Sequence, residues 1–275
     1  MAIKIYKDSS FNELLKKNLR MIYENKKRTE KNIHVSDILP SNCIRKQYYL
    51  RINPEVDKIS YESVQNYLRG EASEFAITKL ANLGVAQSEL ELDELIAHPD
   101  IMNEEIVIEL KDTNSFKRYD LNDEQFLSYL RQLLYYLTIS GKEKGIISIK
   151  YNNNELKLIK REKEGDYFFR PKNSRKPEIE SWNIFLAKDD LIRELLTNEM
   201  IRRKKILKKA LKEKNVTILP RVEESKRKRI CSWCEYYNQC MEIDDETSDA
   251  REMAKEMDLL EIRGILNFDP NDIKH

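Results

Sequence analysis

Glu105-Ile106-Val107-Ile108-Glu109-Leu110-Lys111-Asp112 is a short apolar run interrupted by a carboxylate and an amine two residues apart. Side chains alternate along a β-strand, so Glu109 and Lys111 share one face. Ile106, Ile108 and Leu110 are then predicted to point the other way, into a core. Desolvating either charge costs several kcal/mol unless it is compensated. An exposed strand with an incidental ion pair is the plain alternative, and the surrounding sequence decides between the two.

Upstream, His98-Pro99-Asp100 sits at a turn between two strand candidates, roughly 85–97 and 105–111. Asp100 precedes Glu109 by nine residues, a separation that lets adjacent strands bring both carboxylates to one edge. Two or three oxygen ligands completed by water are what Mg2+ or Mn2+ takes. A neighbouring lysine can orient the attacking water and offset charge developing on a phosphate. Downstream, residues 122–141 read as a helix with a capping box at Asn122-Asp123-Glu124-Gln125 and a stop at Gly141. Its apolar stripe is Phe126, Leu130, Leu133, Leu134 and Leu137. Gln132 and Tyr136, four apart, form a polar pair on one face.

The chain has 275 residues, 40% hydrophobic and 35% charged, enough for one large domain with a buried core. No apolar run approaches the ~20 residues that span a bilayer. The opening residues lack the apolar centre of a signal peptide, and a cytoplasmic location is the expectation. Net charge is only +1, but eight basic residues stand between Arg202 and Lys214 against one acid, and Lys226-Arg227-Lys228-Arg229 follows. Such runs are solvated helix faces or polyanion contacts. Beyond Cys240 the sign reverses.

The four cysteines are Cys43, Cys231, Cys234 and Cys240. C-x2-C-x5-C with one distant partner supplies four thiolates, the full ligand set for zinc or an iron–sulfur cluster. One metal centre held by all four requires the two ends of the chain to meet beside the core.

The remaining elements are read from periodicity. Residues 9–27 form an amphipathic helix with Phe11, Leu14, Leu15, Leu19 and Ile22 inward, and Ile44–Leu50 a second. A third runs from Ser60 to about Asn82, with Val64, Tyr67, Leu68, Phe75 and Leu80 inward. Residues 145–151 and 155–159 read as a hairpin across Asn152-Asn153-Asn154. Residues 161–180 read as a flexible loop, and a long basic helix spans Asp189 to Lys214. The order places an α/β core at the centre of the chain.

Asp100, Glu109-Leu110-Lys111 and Gln132-Leu133-Leu134-Tyr135-Tyr136, in this order, resemble the PD-(D/E)xK nuclease pattern with the Q-x-x-x-Y extension of RecB-like nucleases. Together with Cys43 and Cys231-Ser232-Trp233-Cys234…Cys240, they resemble the CRISPR-associated exonuclease family called Cas-four. The resemblance covers roughly Val35 to Cys240. It implies a mixed β-sheet flanked by helices, with residues 1–240 as one nuclease domain. Segments 35–59 and 215–240 would form a four-iron four-sulfur module, and 241–275 an acidic tail. It implies Mg2+ or Mn2+ at Asp100, Glu109 and the Leu110 carbonyl, with Lys111 catalytic and Gln132 and Tyr136 positioning. Glu74 of Gly70-Glu71-Ala72-Ser73-Glu74 would be a further ligand, with Glu71 its competitor. The implied substrate is single-stranded DNA, cut from its ends 5′→3′, in prespacer processing beside CRISPR adaptation proteins. A stand-alone repair or virus-encoded nuclease, or a non-catalytic cluster-bearing scaffold, are the alternatives.

Overall fold

The computed structural model describes residues 9–24, 32–54, 61–153, 156–160, 167–171, 178–222, 224–232, 234–243, 247 and 250–251. The central strand candidate is β6 (Ile106–Thr113), and the helix that follows is α4 (Glu124–Ser140). β7 (Lys144–Tyr151) returns parallel to β6, in register from Ile106↔Lys144 to Thr113↔Tyr151. Parallel neighbours need a crossover, and α4 supplies it.

Before β6 come α1 (Ser9–Glu24), β1 (Ile33–His34), a 3-10 turn over Val35–Asp37, α2 (Ile44–Ile52) and α3 (Tyr61–Ala81). Four short strands follow: β2 (Val85–Ala86), β3 (Leu90–Leu92), β4 (Leu95–Ala97) and β5 (Ile101–Met102). After β7 come β8 (Leu156–Lys160), β9 (Tyr167–Pro171), β10 (Glu178–Phe185) and α5 (Leu191–Glu213). A second 3-10 turn (Val216–Ile218), α6 (Glu224–Ile230) and α7 (Tyr237–Glu242) complete the order.

The main sheet runs β10-β7-β6-β5-β2, and β1-β4-β3 and β8-β9 form two smaller sheets. The architecture is therefore mixed α/β, with mixed sheets flanked by helices. Among the described residues no helix is long and apolar enough to cross a membrane.

Several expectations change. The predicted strand at 85–97 is three short strands, two of them joined at Asp93–Glu94, both at positive φ. The antiparallel partner of β6 is instead the two-residue β5, with Ile101↔Ile108 and Met102↔Val107. The predicted β7–β8 hairpin does not form: β7 pairs with β10, and β8 with β9. Strands β9 and β10 occupy part of the predicted loop 161–180.

The core also lies differently. Val107, on the Glu109 and Lys111 side of β6, joins Ile147, Ile149, Leu133 and Leu137 in the main apolar cluster. Glu109 and Lys111 stand beside Ile147 and Ile149 in register, so the ionic pair is on the α4 side. On the other side Ile108 is buried as predicted, while Leu110 and Ile106 are half-buried. Gly145 permits this packing: a Cβ there would stand 2.8 Å from Leu133 Cδ2. The predicted α4 stripe is buried throughout. Asp123 occupies its N-cap position, but its carboxylate accepts from the Asp120 amide (2.9 Å) and Lys117 (2.5 Å) rather than capping the helix.

Most of each stripe predicted for α1 and α3 does not turn inward, Leu19 being half-buried. Phe11, Leu14, Leu15, Ile22, Tyr67 and Leu68 are exposed, Phe75 is 66% and Leu80 86% exposed, and Val64 is buried.

Candidate active site and cysteine module

One step beyond the β5–β6 register places Asp100 opposite Glu109. The Leu110 amide donates to Asp100 Oδ2 at 2.7 Å and fixes that carboxylate at the end of β5. Glu109 is wholly buried; Lys111 Nζ donates to its Oε1. Its Oε2 is buried and has no hydrogen-bond partner among the described residues. An unpartnered buried carboxylate oxygen is costly, and a bound ion or water is one way to satisfy it.

Lys111 Nζ lies 3.4 Å from Gln132 Oε1, and Gln132 Nε2 donates to Tyr136 Oη at 2.9 Å. Asp100, Glu109, Lys111, Gln132 and Tyr136 thus form one constellation across β5, β6 and α4. Lys111 also lies over the Tyr129 ring, 5.1 Å from its centroid. Tyr129 was not singled out in the sequence, although its spacing from Gln132 and Tyr136 places it on their helix face.

Burial drives the Asp100 carboxyl well above the ordinary range, and the charge on Glu109 adds to this, with Lys111 opposing. Burial likewise raises Glu109 against the pull of Lys111. Burial alone would lower the Lys111 ammonium, but Glu109 and Asp100 outweigh it, so its pKa is raised and it stays charged. Both carboxyls are therefore held above their ordinary range, and a bound cation would compete with the proton for them.

Glu74, on α3, is close enough to act electrostatically on Asp100, Glu109 and Tyr136. Its own carboxylate accepts from Gln87 Nε2. Glu71 is engaged elsewhere, accepting from Tyr23 Oη at 3.0 Å. Among the described residues no three His, Cys, Asp or Glu side chains are grouped closely enough to hold a metal ion as they stand. The donor set nevertheless fits a hard cation: Mg2+ uses one or two carboxylates and keeps several waters, and Glu109 Oε2 is open for it.

The cysteine-bearing segments meet. Arg45 Nε donates to the Leu219 carbonyl at 2.8 Å, and Lys46 pairs with Glu235 at 3.0 Å. Tyr49 stacks on Tyr236 at 5.3 Å, and Tyr236 Oη donates to the Asn53 carbonyl at 3.0 Å. No disulfide joins the cysteines. Burial pushes the Cys43 thiol up to about 11; the Lys46 amide opposes, and Cys240, Cys234 and Cys231 each raise it further. Cys240, Cys234 and Cys231 thus lie within electrostatic reach of Cys43, and four thiols are the donor chemistry of a thiolate-bound centre, although no three of them are gathered around one point among the described residues. Trp233 and most of the acidic tail, including Met257, Leu259, Leu260, Ile262 and Ile265, fall outside the described residues.

The basic helix is only partly a surface feature. Arg203 is buried and donates to the carbonyls of Ile38 and Leu39 (3.2 Å to the latter). Lys204 pairs with Asp93 at 2.7 Å, and Lys208 pairs with Glu94. Arg202, Lys205, Lys209 and Lys212 are the exposed cations, spaced so that they share one stripe of α5.

No protein-family model and no curated protein matches this sequence. The crystal structure of a protein designated SSO0001 is similar in fold, with a TM-score of 0.52 at 15% sequence identity. The similarity extends over 86% of this chain and 98% of that one.

Proposed function

We propose that the chain is a Mg2+- or Mn2+-dependent deoxyribonuclease with a RecB-like PD-(D/E)xK core, acting on single-stranded DNA ends. The observation that carries this reading is Glu109: a fully buried carboxylate with one oxygen bonded by Lys111 and the other open, facing Asp100 across the β5–β6 pair. Glu199, paired with Arg131, also keeps one buried oxygen without a partner among the described residues; what sets Glu109 apart is the second carboxylate facing it and the lysine beside it.

In this reading Asp100, Glu109 and the Leu110 carbonyl would hold the cation, with Glu74 a further ligand from α3, and the cation would supply Lewis-acid polarisation of the phosphate and acidify water. Glu109 and Gln132 hold the Lys111 ammonium at the edge of the site. From there it hydrogen-bonds the attacking water and offsets charge developing on the phosphate oxygens. Tyr136 fixes the Gln132 amide, and through it the lysine. Phosphodiester hydrolysis adds water across the P–O bond, leaving a phosphate on one fragment and a hydroxyl on the other. Arg202, Lys205, Lys209 and Lys212 make phosphate contacts that carry no sequence information.

Cys43, Cys231, Cys234 and Cys240 would hold a four-iron four-sulfur cluster, which would tie segments 35–59 and 215–240 together. The trimming of prespacers in CRISPR adaptation, with 5′→3′ polarity, is the role we assign to this chemistry. The test uses 5′- and 3′-end-labelled single-stranded DNA with Mn2+ or with EDTA. Mn2+-dependent shortening from the 5′ end is expected. No cleavage under any divalent cation would overturn the proposal.

A further inference from the structure

We propose that Asp112 is a positioning residue that locks α3, and with it Glu74, in place at the cation site. The inference rests on the nuclease reading above.

Asp112 follows Lys111 directly, so strand alternation turns it to the opposite side of the sheet, toward α3. Its side chain is 4% exposed, and four donors converge on it. Arg69 Nε (2.6 Å) and Asn152 Nδ2 (2.5 Å) reach Oδ1, while Ser73 Oγ (2.7 Å) and Lys150 Nζ (3.0 Å) reach Oδ2. Lys150 Nζ also donates to Ser73 Oγ at 2.8 Å. Two donors come from α3 and two from the end of β7 and the residue just beyond it. One carboxylate therefore joins the helix to the two strands at the heart of the main sheet.

A polar clasp matters here because α3 is thinly anchored by apolar contact. Tyr67, Leu68, Phe75 and Leu80 face solvent. Ser73 immediately precedes Glu74, so its hydrogen bond to Asp112 sets the rotational phase of the helix at that residue. One residue of slippage turns an α-helix by ~100° and shifts it by ~1.5 Å. Either motion carries Glu74 away from Asp100 and Glu109. Asp112 touches neither substrate nor cation; it acts through Ser73 and the helix.

The test is Mn2+ binding to the full chain by calorimetry, with urea unfolding run alongside. Asp112→Asn keeps one acceptor but turns an amide toward cationic donors. It is expected to weaken Mn2+ affinity roughly tenfold, the size of other outer-shell losses. Ser73→Ala removes only the local donor; it is expected to weaken affinity severalfold, and it decides the matter should Asp112→Asn not fold. In a Glu74→Gln background both effects are expected to vanish, because the residue they position no longer carries charge. Unchanged affinity, or an equal loss with and without Glu74, would overturn the role of Asp112. A wild-type chain that binds no Mn2+ removes the nuclease reading and this inference together. A wild type that binds and cuts, beside variants with unchanged affinity, removes only this inference.

Discussion

Replacing Lys111 with alanine takes away the cation that pairs with the buried Glu109 carboxylate. Glu109 is wholly buried while the Lys111 side chain is 22% exposed, so water reaches the ammonium better than the carboxylate. Breaking a buried pair from one side costs about 3–5 kcal/mol, and this partial exposure selects the lower end, about 3 kcal/mol. The loss depends on pH. Burial already raises the Glu109 carboxyl, and loss of Lys111 raises it further. A carboxyl raised in the folded state destabilises the fold only where the unfolded chain has ionised, above ~4.3. The penalty is therefore absent at low pH and grows as pH rises toward the folded value. Each pH unit closer to ~4.3 removes about 1.4 kcal/mol, so the loss at pH 5 falls to at most about 1 kcal/mol. Urea unfolding at pH 5 and pH 7.5, without added divalent cation, measures both values. Adding Glu109→Gln to Lys111→Ala is expected to restore much of the loss, since no buried charge remains. Wild-type stability in Lys111→Ala at pH 7.5, or an equal loss at both pH values, would refute the reasoning.

The remaining expectations concern the cation, the cysteines and the core. Because burial and the Glu109 charge raise the Asp100 carboxyl well above its ordinary range, Mn2+ affinity is expected to rise with pH, by up to about tenfold per unit, with proton release on binding. Calorimetry at pH 6, 7 and 8 in buffers of different ionisation enthalpy measures both, and a pH-independent affinity contradicts the assignment. Anaerobically purified protein is expected to carry about four iron and four sulfide per chain, lost in Cys43→Ser with a lowered melting temperature. Colourless protein with stoichiometric zinc contradicts the cluster. Gly145→Ala forces a methyl against Leu133 and is expected to cost about 1–3 kcal/mol in urea unfolding; an unchanged midpoint places α4 wrongly.

The parts of this fold legible in the sequence are those whose cause is local. The α4 stripe is buried as its 3.6-residue period predicts, and Gly141 ends the helix at φ +68°. Residue types placed Asp100 beside Glu109 although its strand is two residues long and leaves no periodic trace. Strand β10 escaped because Glu178, Glu180, Ser181 and Asn183 blur the apolar alternation of a strand paired with β7 along its whole length. The apolar residues of α3 pointed to a face that tertiary structure does not use; its phase is set by polar contacts at Asp112. That hub left no local signal, because its partners lie 38 to 43 residues away in sequence. Basic residues of α5 read as one run divide into buried ties, such as Arg203 and Lys204, and an exposed stripe.

The most direct test of the central claim is the cleavage rate of Glu109→Gln against wild type. Both are measured on one end-labelled single-stranded oligonucleotide in Mn2+, after identical purification. Glutamine keeps the shape and removes the charge that would hold the cation. The account predicts cleavage by wild type and a loss of at least ~100-fold in the variant. Equal rates, or no cleavage by either, contradict it.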